Sequence, residues 1–484
     1  MRYPLILLIW IVAAPDSVVA AERPIPQDPV RIEKRSKDWL AWNRLTLGDA
    51  YAKIGKKDAR WDEPARKTCE LAARMYSLQV DPMTNFDDVF RSARKAVDAG
   101  CDDPLILYFY ARSSVAPNHP GDEEYARRTQ KAADAMMAGA YSPFRQAAAL
   151  LKAIQLKANR GDTIASKTRE VEQGLDRIID LLSRSVTADP RGEFWEARWF
   201  EFLNSVLFEF QRGSTDSKKT FDQFDAKLAK IPGIEALRLT IRGRFLVDWA
   251  WKARTDFFAP MVSQKQFRTF EARLTEARRA LEAAYKVNPN QPYVARIMLS
   301  VELGIGSGDR PTMERWFERA IELDPNDRIA FLSKLDWLDP KWHGDEDGKE
   351  MLAFGKECAS TKNWITGIIL LAPDSRLRRY AALPKEDRWA FMSQADNWAA
   401  IYPVYDEYLK HYPDDSVALT KFAYLAYLCG RMTVADHFFQ KVGPNLTPWT
   451  EYPDLPLETI QSARDDAAKM VAEHEKKKAA QPSK

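Results

Sequence analysis

Three short phrases recur along the chain: NPN at 288–290, DPND at 324–327 and YPDD at 412–415. Each closes one amphipathic segment and precedes another. A proline bars the residue before it from the α region, and an Asx side chain can cap the next helix. Such punctuation between segments of helical period specifies helix hairpins. Period-two alternation is nearly absent, so the expected class is all-α, a right-handed superhelical array of helix hairpins with an irregular N-terminal half.

The stretch GDRPTMERWFERAIELDPND, 308–327, has this logic in full. Met313, Trp316, Phe317, Ala320 and Ile321 fall at i, i+3, i+4, i+7 and i+8, one helical stripe that must be buried. Asp309 is placed to cap, Pro311 suits a first turn, and Asp324 before Pro325 ends the segment after about four turns. On this reading Phe317 and Ala320 sit at a tight helix crossing, whereas Glu314 and Arg315 face water.

These residues resemble the tetratricopeptide repeat, whose ~34-residue unit places small residues where two helices cross and a proline after the second. With Pro325 closing the unit, it begins near Val294, and Gly304, Gly308, Phe317, Ala320 and Pro325 fall at characteristic places. Ser300 and Val301 replace the usual Leu-Gly pair, and Met313 replaces a small residue. Leu47, Gly48, Tyr51 and Gly55, followed by Ala65, Cys69 and Ala72, make a second match. Ala423, Gly430, Ala435 and Phe439 make a third, and Ala277, Leu281, Ala284 and Pro289 a half-repeat. Residues 245–365 are also similar to an uncharacterised bacterial group with a W-x-A-R segment (Trp251, Ala253, Arg254) and an L-x-P-K-W-x-G segment (Leu338, Pro340, Lys341, Trp342, Gly344). That resemblance implies a fold and no activity.

MRYPLILLIWIVAAPDSVVA, 1–20, carries Arg2, an apolar run from Leu5 to Ala14, and small residues Val18 and Ala20. It reads as a cleavable export signal, giving a periplasmic or secreted chain from Ala21. The run is shorter than the roughly 20 residues of a membrane span, so no span is expected in the mature chain. The charge balance, 72 basic against 69 acidic residues, gives no basic stripe and excludes nucleic acid as the expected partner. The length exceeds that of one core. We divide the chain into an irregular helical region at 21–235, a repeat region at 236–445 and a polar tail from 446. Residues beyond about 465 are expected to add little stability, because their composition offers few large apolar groups.

Cys69, Cys101, Cys358 and Cys429 permit two disulfides in an oxidising compartment; if bridges form, Cys69–Cys101 and Cys358–Cys429 are the expected pairs. Four buried thiols are the alternative, and the one we take as the expectation.

For chemistry the chain offers little. Gly304, Gly306 and Gly308 in GIGSGD follow no strand and lack the Gly-Lys-Ser/Thr of a phosphate loop, so they read as a bend between helices. Clustered zinc ligands are missing, with His119, His411, His437 and His474 each standing alone. No catalytic residue, cofactor or metal is expected. The candidate binding or structural residues are Trp251 and Arg254 with Lys341, Trp342, His343 and Asp345 of the loop WLDPKWHGDEDGKE. Asp345, Asp347 and Gly348 faintly match a calcium loop; the plainer reading is a turn in which Trp342 plugs a groove and the acids favour the next helix N-terminus. Trp195, Trp199 and Phe202 share a helical face and are expected in the core. The function this implies is a non-catalytic, exported scaffold binding another protein. The other class is a glycan-acting or glycan-binding protein using Glu193, Glu196 or Glu201 beside those tryptophans.

Overall fold

The computed structural model describes residues 25, 28–77, 86–112, 122–160, 164–189, 192–213, 216–255, 261–305, 309–444, 446–447 and 455–479. The export signal at 1–20 lies outside them. All regular structure among these residues is helical, with no strand. The chain runs α1 (Pro29–Arg44), a π-helical turn (Leu45–Asp49), α2 (Ala50–Ile54), α3 (Asp62–Tyr76), α4 (Phe86–Asp98), α5 (Pro104–Arg112), α6 (Asp122–Ala138), α7 (Pro143–Arg160), α8 (Ile164–Ala188), α9 (Glu193–Gly213) and α10 (Ser217–Leu228). It continues through α11 (Glu235–Arg254), α12 (Gln264–Val287), α13 (Pro292–Gly304), α14 (Arg310–Leu323), α15 (Arg328–Trp337) and α16 (Lys349–Ser360). A 3₁₀ turn (Ile368–Leu370) leads to α17 (Leu371–Ala382), α18 (Lys385–Met392), α19 (Ala395–His411), α20 (Ser416–Leu428), α21 (Met432–Val442) and α22 (Leu457–Ala479). Neighbours in sequence are neighbours in space, most closely α11 with α12, α7 with α8, and α20 with α21. The fold is an all-α array of helix hairpins.

The punctuating phrases do what their chemistry dictates. Asp327 of DPND caps α15, its carboxylate accepting the N–H groups of Ile329 (3.1 Å) and Ala330 (3.3 Å). Asp415 of YPDD caps α20 in the same way, accepting from Val417 and Ala418 at 3.0 Å. These two phrases end one helix and supply an acceptor for the free N–H groups that start the next, whereas NPN ends α12 without capping α13, the Asn288 side chain accepting from the Asn290 N–H inside the turn.

The stripe of α14 is inward as expected: Met313, Phe317, Ala320 and Ile321 are buried, and half-buried Trp316 meets Tyr285 of α12 edge-on. Glu314 departs from expectation. Its carboxylate lies 2.7 Å from the ammonium of Lys334 on α15, a residue only 5% exposed, so it is half-buried against a neighbouring helix. At the α12/α13 crossing, a Cβ on Gly304 would stand 2.6 Å from Leu274 and 2.7 Å from Phe270, so close helix approach accounts for this glycine. Gly306 and Gly308 lie outside the described residues.

One apolar core runs from Phe144 on α7 to Val301 on α13, passing the composition break near 235 without interruption. Trp195, Trp199 and Phe202 belong to it, and both indole N–H groups donate to Ser185 Oγ at 2.8 Å. Smaller cores lie under the N-terminal hairpins, around α13–α17, and under the last helices. All four cysteines are free and buried. Cys358 and Cys429 fall in separate cores, and burial pushes the Cys69 and Cys358 thiols up from their ordinary value.

The polar tail needs correction. Residues 457–479 form α22, and Ile460, Ala463 and Ala467 bury one stripe against the last hairpin, with the Tyr427 hydroxyl donating to Asp466. One isoleucine and two alanines at i, i+3 and i+7 suffice to dock a helix that composition alone marks as solvated. From Ala468 to Lys478 the side chains are exposed, apart from half-buried Val471. Truncation after Lys469 should leave the melting temperature within about 1 °C, since surface changes are worth little. Ile460→Ala should lower it by several degrees, about 2 kcal/mol or more of lost packing. A large drop on truncation would show a second docking contact.

Candidate functional site: the groove closed by the N-terminal helix

Of the residues singled out from sequence, the structure brings three together. Trp251 and Trp342 meet edge-on at 5.5 Å, and the Arg254 guanidinium lies 5.6 and 5.3 Å from their ring centres. The others act locally. His343 stacks on Trp337 at 4.9 Å, and its Nε2 lies 2.9 Å from the Leu303 carbonyl, tying the loop to the end of α13. Asp345 accepts the N–H groups of Lys349 (2.9 Å) and Glu350 (2.8 Å), holding the start of α16. Lys341 sits 3.6 Å from Asp339, and Asp347 pairs with Lys349 at 2.6 Å. The acids that faintly matched a calcium loop are thus occupied by backbone N–H groups and a lysine. Among the described residues no group of three or more His, Cys, Asp or Glu side chains could hold a metal ion.

An extensive concave surface among the described residues lies elsewhere. A groove of about 630 Å³ is walled by α1 (Arg35, Trp39), the end of α3 (Tyr76), α9 (Arg198, Glu201), α13 (Tyr293, Arg296), the DPND turn, and α19–α20 (Tyr408, Lys421). It exists because α1 crosses to helices far along the chain. Asn326 Nδ2 donates to the Ile32 carbonyl (3.1 Å) and to Ser36 Oγ (3.2 Å), while its Oδ1 accepts from Asn363 Nδ2 (2.8 Å). Arg35 pairs with Asp324 at 3.3 Å, and Arg31 donates to the Glu322 carbonyl. Both polar atoms of the Asn326 side chain are engaged in a buried setting, where an unmet polar group would cost about 1–3 kcal/mol. Ile25, just ahead of α1, is buried in the core built by α13–α17.

Charge in the groove is organised in pairs. Arg296 bridges Glu201 (3.1 Å) and Asp327 (3.4 Å); Arg328 lies 3.6 Å and Lys421 4.0 Å from Asp374. Burial pushes the Asp327 carboxyl up, with Arg296 opposing. Asp415 caps α20 and accepts from the Tyr408 hydroxyl at 3.0 Å. The acids on this surface are therefore committed to structure.

Sequence reading missed Arg35, Arg198 and Arg296. A signal existed for Arg198, a cation set between Trp195 and Trp199 on a helix whose other face is all core. Nothing local marked Arg35 or Arg296. The acids considered for glycan chemistry are placed differently: Glu196 accepts from Asn288 Nδ2 at 3.0 Å, Glu201 is held by Arg296, and the side chain of Glu193 lies outside the described residues. Trp195 and Trp199, at 1% and 0% exposure, offer no face to a sugar ring.

No helix among the described residues is long and apolar enough to cross a membrane. No family model and no curated protein matches the chain.

Proposed function

We propose that this chain is an exported helical-repeat protein of the tetratricopeptide kind, acting without catalysis as a scaffold that receives an extended segment of a partner protein in the groove behind α1. The observation that carries this reading is the groove itself: five separated helical stretches converge on one concave wall of alternating cations, acids and aromatic rings. Stacked hairpins leave such a surface because each unit hides its apolar face against its neighbours. The commitment of Glu201, Asp324, Asp327 and Asp415 to arginines, caps and hydroxyls favours binding over proton transfer. The resemblance is supported by the burial of Leu47, Tyr51, Ala65, Cys69 and Ala72, the residues that carry it in the first hairpin.

Ile329 and Val417 line the groove while remaining 53% and 40% exposed, so they can be enlarged without disturbing the core. Peptides selected from a displayed random library on the mature chain should bind it and lose at least about tenfold in affinity, about 1.4 kcal/mol, on the Ile329→Trp/Val417→Trp variant. Failure to enrich any peptide, or equal binding to the filled groove, would overturn the proposal. So would release of reducing ends from cell-wall or storage glycans.

A further inference from the structure

At the α1 end of the groove, where Trp39, Tyr76 and Arg198 form the wall, three arginines gather around one ring. The guanidinium carbons of Arg198, Arg145 and Arg112 lie 5.2, 5.6 and 5.8 Å from the centre of Tyr76. Arg145 and Arg198 also share Phe144, at 5.4 and 5.6 Å. Two like charges against the same two rings repel, and a buried cation is ordinarily paired. Here the pairing is thin. Arg145 donates to Thr46 Oγ1 at 2.6 Å, and no carboxylate among the described residues forms an ion pair with any of the three.

The donors are correspondingly unmet. Nε of Arg112, Arg145 and Arg198, together with Trp42 Nε1, are buried without a hydrogen-bond acceptor among the described residues. The Trp42 ring centre is 5.9 Å from the Arg145 guanidinium. Several orphaned donors in one place are uncommon in a native interior, and each is costly to keep there. Cation–π attraction offsets part of that cost but supplies no acceptor. The electrostatics agree for Arg145 and Arg198, whereas the Tyr108 and Tyr76 phenols, Tyr108 also by a hydrogen bond, raise the Arg112 guanidinium. Burial, and then the neighbouring Arg198, push the Arg145 guanidinium down to about 10, and burial lowers Arg198. Burial alone would raise the Tyr76 phenol, yet the surrounding arginines outweigh it and hold the phenol below its ordinary value; Tyr108 beside it is pushed up by burial.

We propose that this end of the groove is a carboxylate-binding site, with Arg198 as the contact residue, Arg145 and Arg112 as the field behind it, and Trp39 and Tyr76 as walls for the ligand's apolar stem. A planar guanidinium fork matches a carboxylate in geometry and charge. A single negative charge fits better than a phosphate dianion, because Glu201 and Asp189 already stand nearby. Asp189 accepts from the Phe144 N–H (3.2 Å) and the Ser185 hydroxyl (2.5 Å) and acts electrostatically on Arg145. The carboxylate can be the terminus of a peptide or a free small acid, so the site stands whether or not the groove's occupant is a protein.

Calorimetric titration of the mature chain with N-acetyl-Phe-Ala-Leu, its C-terminal amide, hexanoate and inorganic phosphate tests the site. The acid should bind and weaken with added salt, the amide should bind at least about tenfold more weakly, and Arg198→Gln should remove that difference while Arg198→Lys keeps part of it. Hexanoate binding as tightly as the tripeptide assigns the site to small acids; tighter tripeptide binding assigns it to a peptide terminus. Equal binding of acid and amide, tighter binding of phosphate, no binding at millimolar concentration, or an unchanged Arg198→Gln variant would each overturn the proposal. Unliganded Arg198→Gln should melt no lower than the parent, because it removes an uncompensated cation. A clear drop would make Arg198 a structural residue and sink the inference.

Discussion

Phe317→Ala is expected to lower the unfolding free energy by about 3–5 kcal/mol, the usual cost of truncating a core phenylalanine that leaves a cavity. Phe317 sits edge-on to Phe331 at 5.2 Å and to Phe354 at 5.6 Å, so α14, α15 and α16 all lean on this ring. The Lys334 ammonium lies 4.7 Å from it and from Phe354. Truncation therefore removes apolar contact and half of the aromatic bed beneath a buried cation. Chemical denaturation with two spectroscopic probes measures the effect. A loss below about 1 kcal/mol, the level of an average substitution, would mean that the α13–α16 core closes over the gap.

Glu314→Ala should cost about 2–3 kcal/mol, although the residue reads from sequence as part of a wet face. Removing one partner of a fully buried ion pair costs about 3–5 kcal/mol, because the other charge stays behind without compensation. The Glu314 side chain is 27% exposed against 6% for Lys334, which moderates the figure. A double-mutant cycle isolates the pair. In a Lys334→Met background Glu314→Ala should cost no more than about 0.5 kcal/mol, since the stranded ammonium is gone. Near-neutral behaviour of the single variant would place Lys334 in contact with solvent instead.

What sequence could convey here was local. The α14 stripe, the Asp309 and Asp327 caps and the bounded helix lengths all follow from spacing within a few residues, and the structure has them. Glu314 was misjudged because its partner sits on the following helix, and no helical periodicity records which residues face each other across a hairpin. The tail was misjudged because alanines count little in composition, yet Ala463 and Ala467 are what let α22 approach α20 and α21. Trp251, Arg254 and Trp342 were legible through a resemblance linking two distant segments. The groove was not. Asn326 reads as turn punctuation, and its buried contacts lie on α1; Arg296 reads as a helix cation, and its acids come from α9 and the DPND turn.

The clamp between α1 and the DPND turn sets an order of events. Ile32 and Asn326 are 294 residues apart in sequence, so a chain emerging from its N-terminus, from a ribosome or a translocation channel, presents α1 long before α14 and α15 exist to hold it. The start of α1, at Ile32 and Ser36, is among the last parts to be seated, whereas its Trp39 and Asn43 bond to Tyr76 and Ser77 at the end of α3. Contacts of such long separation form late, after their loop-closure entropy has been met by the hairpins between them. Until then Ile25 and Ile32 lack their partners in the α13–α17 core and the DPND turn, and a partly emerged chain carries an adhesive leading end. A chain arrested short of α15 would have every hairpin of its first half but a groove without the wall that Ile329, Tyr408 and Lys421 supply, which makes completion of the whole array, and not the folding of any one repeat, the event that completes the binding surface.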